Sequence, residues 1–189
     1  DGTSCLASLS LGSFDASGSL EVWYDFGGPV AGFQFDVTGL AITGGSGGAA
    51  GDVGMTVSAG GSTVLGFSFD NSEIAAGSGL LTLVSFSSVT DASTELSMGW
   101  SGAITDASGN VYTSSASGSI DHGDPDCSGT YYGDLVLDDC GVCDGGNADD
   151  LGCGCFEAGP SGCDEPCGST LEFDECGECG GDGIDEGAC

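Results

Sequence analysis

Along the first 120 residues, short runs of β-branched and aromatic side chains alternate with clusters of Gly, Ser and Asp. The runs are Leu6 to Leu11, Leu20 to Phe26, Val30 to Val37, Met55 to Ala59, Thr63 to Phe69, Leu80 to Phe86, Leu96 to Trp100 and Val111 to Ser114. In Phe33-Gln34-Phe35-Asp36-Val37 the period is two: the apolar residues share one face, and Gln34 and Asp36 share the other. That is the pattern of a strand packed on one side and wet on the other. Repeated at this spacing, it predicts an all-β domain, a β-sandwich or jelly roll. Gly44 to Gly48, Asp70 to Ser72 and Asp106 to Asn110 read as turns, because Gly, Asn and Asp tolerate positive φ or bond their own backbone. No amphipathic helix is legible; Asn71 to Ala76 has room for one short helical turn.

The pattern changes between Ser119 and Asp126. Ten of the 11 cysteines follow residue 126, and 19 of the 30 acidic residues fall in 121–189. Large apolar residues become sparse there: Tyr131, Tyr132, Leu135, Val136, Leu137, Phe156 and Phe173 are the main ones. Such a segment needs staples to hold a shape. It also repeats. Cys127, Cys140, Cys143 and Cys153 recur 36 residues later as Cys163, Cys176, Cys179 and Cys189, and Asp138-Asp139-Cys140-Gly141-Val142-Cys143 becomes Asp174-Glu175-Cys176-Gly177-Glu178-Cys179. Two duplicated units follow, with Cys155 and Cys167 outside the register and free to pair with each other.

Composition narrows the chemistry. The 189 residues include no Lys or Arg, one His and 30 Asp or Glu, a formal charge of −30. Nothing can neutralise a phosphate backbone or anionic lipid, which excludes nucleic-acid binding and docking on anionic membranes. Lysine chemistry is absent as well. No apolar run approaches the roughly 20 residues needed to span a bilayer. The cysteine content points to an oxidising compartment, hence to an extracellular or cell-surface protein. Zinc-ribbon spacing exists in Cys140/Cys143 and Cys176/Cys179, but the acidic, cysteine-dense context favours disulfides, and no basic residue is present to lower a thiol pKa for redox exchange.

Two resemblances sharpen the reading. The stretch from Leu20 to Trp100, carried by Pro29 to Val37 and Ser62 to Phe69, resembles the cohesin-like β-sandwich modules of bacterial surface and secreted proteins, whose best-known members bind partner proteins. The tail, above all Cys176-Gly177-Glu178-Cys179-Gly180-Gly181-Asp182-Gly183, resembles the aspartate- and cysteine-rich repeats of thrombospondin type 3. That second resemblance implies Ca2+ held by Asp138, Asp139, Asp144, Asp149 and Asp150, and by Asp174, Glu175, Asp182, Asp185 and Glu186. Calcium takes six to eight oxygen ligands, and neither unit has a full Asp-x-Asp-x-Asp-Gly loop, so solvated turn residues are the competing reading.

The domain layout expected is residues 1–5 as the end of a preceding cysteine-rich repeat, 6–120 as the sandwich and 121–189 as the tail. Cys5 is left over once the ten tail cysteines pair among themselves. It then joins a neighbouring repeat or subunit, or folds back onto a tail cysteine. The first case builds a head-to-tail homopolymer, whose self-repulsion divalent cations would screen. His122, in Asp121-His122-Gly123-Asp124-Pro125-Asp126, is expected in a solvated linker, and Trp23 and Trp100 in the sandwich interior. The single histidine and the lack of a cationic or amide-lined cleft argue against an enzyme. Asn71, Asn110 and Asn147 form no N-glycosylation sequon, while Ser and Thr leave O-glycosylation open. The functional expectation is a structural subunit of a calcium-stabilised, disulfide-reinforced extracellular filament or adhesin. The alternatives are a module that binds a surface protein or polysaccharide on a calcium-dependent spacer, and a halophile envelope protein.

Overall fold

The structure, a computed structural model, describes residues 6–183; Cys5, Asp185, Glu186 and Cys189 lie outside them. Two compact units result, residues 6–125 with Gly129–Gly133, and Asp126–Ser128 with residues 134–183.

The first unit contains β1 (Leu6–Asp15), β2 (Ser19–Phe26), β3 (Gly32–Thr38), β4 (Leu40–Ser46), α1 (Gly48–Asp52), β5 (Thr56–Gly60), β6 (Thr63–Phe67), β7 (Gly77–Val89), β8 (Ser93–Ser97), β9 (Ala103–Thr105), β10 (Thr113–Ser117) and β11 (Ser119–Asp121). One sheet runs β10-β1-β2-β7-β4 and the other β11-β8-β3-β6-β5. All pairs are antiparallel except β1 with β10. The two sheets make a β-sandwich whose core is led by Phe26, Phe33, Phe35, Leu20, Ile74, Leu81 and Ile104, all essentially without solvent exposure. The period-two pattern of β3 is realised as written: Phe33, Phe35 and Val37 are buried, Gln34 and Asp36 only partly so.

Strand β3 is paired along one edge by β6. Its other edge is shared end to end, by β9 over Gly32–Gln34 and by β8 over Asp36–Thr38. The segment Met98–Gly102 therefore makes a tight turn beside the middle of β3. A Cβ on Gly102 would strike the Met98 carbonyl, and Gly99 has φ +62°, so the turn needs glycine at both positions.

Several sequence expectations are corrected. The Gly44 to Gly48 segment is no simple turn: Gly44, Gly45 and Ser46 complete β4 against β7, and Gly48 opens the only helix among the described residues. Asn71 to Ala76 forms no helical turn, because Ile74 is drawn into the core by a bridge to Val30. Strand β8 covers Ser93–Ser97 instead of Leu96 to Trp100, since Met98–Gly102 is spent on the turn. Neither tryptophan packs inside. Trp23 takes an outward position on β2 because Val22 and Phe26 hold the inward ones, and Trp100 is fully exposed on its turn.

Candidate functional site: an outer sheet face and the cysteine-rich turns

The outer face of β5, β6 and β3 is poor in charge for a chain of this acidity. Gln34 lies opposite Leu65, Asp36 opposite Thr63, and Leu65 opposite Ser58. Asp36 is the one charged side chain among these, and its carboxylate accepts the Thr63 hydroxyl at 2.7 Å. Gln34, Ser58, Ala59, Gly60, Thr63 and Leu65 line a shallow depression of about 260 Å³. Large apolar groups on this part of the unit are left uncovered: Leu65 in the depression is 40% exposed, Trp100 on the neighbouring turn wholly so, and Phe69, past the far end of β6 against Phe67, 85%. The Trp100 turn is tied to the face, because Gln34 Nε2 donates to Ser101 Oγ at 2.7 Å and to Ser101 O at 3.1 Å. An apolar, hydrogen-bonding surface held on rigid strands suits recognition of a protein surface.

His122 sits elsewhere in this unit and corrects the linker expectation. It is 7% exposed. Its Nε2 pairs with the buried Thr94 hydroxyl at 2.7 Å, its Nδ1 with the Tyr132 hydroxyl at 2.8 Å, and its ring packs on Phe14. Burial pushes its pKa down, opposed by the nearby Asp121 carboxylate. The signal was present in the sequence: Ile120 and His122 are two apart, with Ser119 and Asp121 facing out.

The tail is built from turns of one design. In the first repeat Asp138 Oδ1 accepts the Cys140 and Val142 N–H groups, both at 2.9 Å; in the second Asp174 Oδ1 accepts those of Cys176 and Glu178. The backbone follows suit, with Asp138 N–H to Val142 O matched by Asp174 N–H to Glu178 O. Gly141 and Gly177 turn the chain at φ +76° and +82°. A third turn is cut from the same pattern: Asp150 Oδ1 accepts the Gly152 and Gly154 N–H groups. Bonds to the ionised carboxylate account for the low pKa of Asp138, led by that from Val142.

Disulfides join Cys127 to Cys143, Cys140 to Cys155, Cys153 to Cys167 and Cys163 to Cys179. Cys176 is disulfide-bonded as well. Cys155 and Cys167 thus do not pair with each other. Each bond spans 14 to 16 residues, and each loop overlaps the next. Each Cys-x-x-Cys pair sends its two sulfurs to different places, and every cysteine among the described residues is disulfide-bonded, so none of these is a thiolate for zinc.

The acids expected to hold calcium are distributed as follows. Asp138, Asp150 and Asp174 are acceptors for their own turns. Asp139 Oδ2 accepts Asn147 Nδ2 at 2.9 Å, and Asn147 in turn donates its backbone N–H to Asp138 Oδ2. Asp144 holds φ +55°, and Asp149 contributes its carbonyl to the Phe156 N–H. Asp174, Glu175 and Asp182 line one open hollow of about 710 Å³ with Glu172; the position matching Asn147 is Gly183 there. Among the described residues no three acidic, His or Cys side chains come together as an ion would require. Of the second set, Asp185 and Glu186 lie outside the described residues.

No family model and no curated protein matches the chain. Among solved structures it is similar to a non-cellulosomal cohesin from the hyperthermophilic archaeon Archaeoglobus fulgidus, at 18% identity and TM-score 0.44, over 61% of this chain and 89% of that one. It is also similar to the sixth cohesin of scaffoldin B from Acetivibrio cellulolyticus, solved in complex with a mutant Cel5 dockerin, at 15% identity and TM-score 0.45, over 63% of this chain and 99% of that one. Among the described residues no helix is long and apolar enough to cross a membrane.

Proposed function

We propose that this chain is a non-catalytic, extracellular interaction module. The sandwich takes a protein partner on the outer face of β5, β6 and β3, and the disulfide-clamped acidic tail serves as a spacer. The observation that carries the reading is the exposure of Leu65 within a charge-poor depression and of Trp100 on the turn tied to it. An exposed apolar patch of this kind on a protein with 30 carboxylates is a site to be covered.

The finer form of the proposal is a head-to-tail filament or adhesin in which the partner is a further copy. The in-register repeat of turns and disulfides supports it as a reinforced external structure. In this form calcium acts as a screening counter-ion for a charge of −30 and not as the content of a preformed cage. Equal ionic strengths of Ca2+, Mg2+ and Na+ separate the two roles: screening predicts that all three salts promote association alike, while a cage predicts saturable, calcium-selective binding.

The test of the module is affinity measurement with the full chain immobilised. The probes are soluble copies of itself, dockerin-type proteins and co-secreted proteins. Leu65→Asp places a charge at the centre of the face and is expected to weaken binding roughly tenfold or more. Binding that is indifferent to Leu65→Asp and to Trp100→Ala would move the site off this face.

A further inference from the structure

The opposite sheet carries a second surface of different chemistry. On the outer face of β2, Trp23 stands between Glu21 and Asp25 and is 42% exposed. Its indole is fixed. The Nε1–H donates to Glu21 Oε2 at 2.9 Å, and the same oxygen accepts the Ser13 N–H at 3.1 Å across the bulge between Leu11 and Phe14. Beneath the ring lies Gly12, where any Cβ would strike Trp23 Nε1 and Cδ1. A glycine and a carboxylate thus hold the largest side chain against the strand with part of its surface in solvent. The bonds from Trp23 and from Ser13 keep Glu21 ionised, with its pKa below the usual value.

Beside the indole the sheet is paved with hydroxyls. Ser10 pairs with Trp23 and Ser8 with Asp25 on β1, and Ser117 and Ser115 pair with those serines on β10. All four serines are exposed. Adjacent strands and alternate residues set these groups about 5 and 7 Å apart in a flat array. Leu80 and Leu83 of β7 flank Trp23 and Glu21 on the other side, and Leu6 is exposed at the start of β1, so the indole lies between an apolar margin and a row of hydroxyls, an amphipathic surface rather than a wholly apolar one. Hydroxyls and two carboxylates offer acceptors for many O–H donors, the indole offers a stacking platform for C–H faces, and the absence of any cation excludes a polyanion.

We propose that this face binds a neutral polysaccharide, with Trp23 as the stacking platform and Glu21 as the residue that positions it. The site is separate from the protein-binding face, so either can fail without the other.

The experiment uses the full chain in pull-downs on insoluble β-1,4-glucan and chitin, with heparin and alginate as polyanionic arms, and tryptophan-fluorescence titration with soluble neutral oligosaccharides. The wild type should be retained on a neutral polysaccharide and not on the polyanions. Trp23→Ala should weaken retention roughly tenfold or more and abolish the emission change. Trp100→Ala should keep both, and Glu21→Ala should give weaker binding with Trp23 still present. An unchanged melting transition for Trp23→Ala shows that its effect is local. Retention that survives Trp23→Ala, retention lost in Trp100→Ala, capture of proteins in place of glycans through Trp23, or no neutral polysaccharide bound at all would each overturn the proposal.

Discussion

Phe35 shows how much one side chain carries in a sandwich of this size. It is fully buried between the sheets, and Phe35→Ala is expected to cost about 3–5 kcal/mol through lost burial and the cavity left behind, read from urea or thermal unfolding of the sandwich transition. His122 has a different signature. Its folded-state pKa lies below its unfolded value because burial disfavours the charged form, so the folded state binds the proton less readily than the unfolded chain. Stability is therefore independent of this group above the unfolded pKa of about 6.5 and declines as pH falls below it, levelling off once the folded-state pKa is passed. The melting temperature should drop between pH 7 and 5, with His122 titrating below the free value by NMR. His122→Phe should flatten that segment. The variant should also be less stable at pH 7.5, because Thr94, with no solvent exposure, loses its 2.7 Å partner, at a cost of about 1–3 kcal/mol.

At the scale of elements, alternation was a good guide and punctuation a poor one. β2, β3, β5, β6 and the centre of β7 follow from runs of apolar residues spaced by two. β4 was invisible because its second half is Thr-Gly-Gly-Ser, a composition that reads as a turn and becomes a strand only by pairing with β7. Trp23 and Trp100 depart from the expectation because size alone does not bury a side chain: on β2 the inward positions belong to Leu20, Val22 and Phe26. In the tail the duplication is legible from four cysteines in register, but the pairing is not: Cys153 bonds across the unit boundary to Cys167, and Cys140 bonds to Cys155, which stands outside the register. The part of the aspartates was also hidden, since a carboxylate that organises a turn and one that holds an ion look alike in sequence. Gly141 offers a direct check on the shared turn. Nothing lies within 4 Å of where its Cβ would be, and φ is +76°, so Gly141→Ala should cost about 1–2 kcal/mol from the backbone alone. Amide exchange at Val142 and Asp144 should quicken, while the exchange of the equivalent second-repeat amides stays unchanged.

The whole molecule rests on two different sources of stability. The core cluster and the apolar residues packed against it end at Ile120, with His122 and Tyr132 still resting on Phe14, so residues 134–183 depend on turns and disulfides. Loops of 14 to 16 residues each contribute about 3 kcal/mol by restricting the unfolded chain. Reduction should accordingly unfold the tail and leave the sandwich transition in place, seen as fast amide exchange confined to residues 134–183. On this footing a partner-binding sandwich and its spacer are separable devices, and the central claim is that the β5-β6-β3 face is what the sandwich presents to a protein. The most direct measurement is sedimentation velocity of the full chain beside its Leu65→Asp variant, alone and mixed with each protein that the immobilised chain retains. The account predicts that the wild type forms a larger species, with itself or with a retained protein, and that Leu65→Asp sediments as the free monomer under the same conditions. Complexes of equal size and amount from both chains would contradict it.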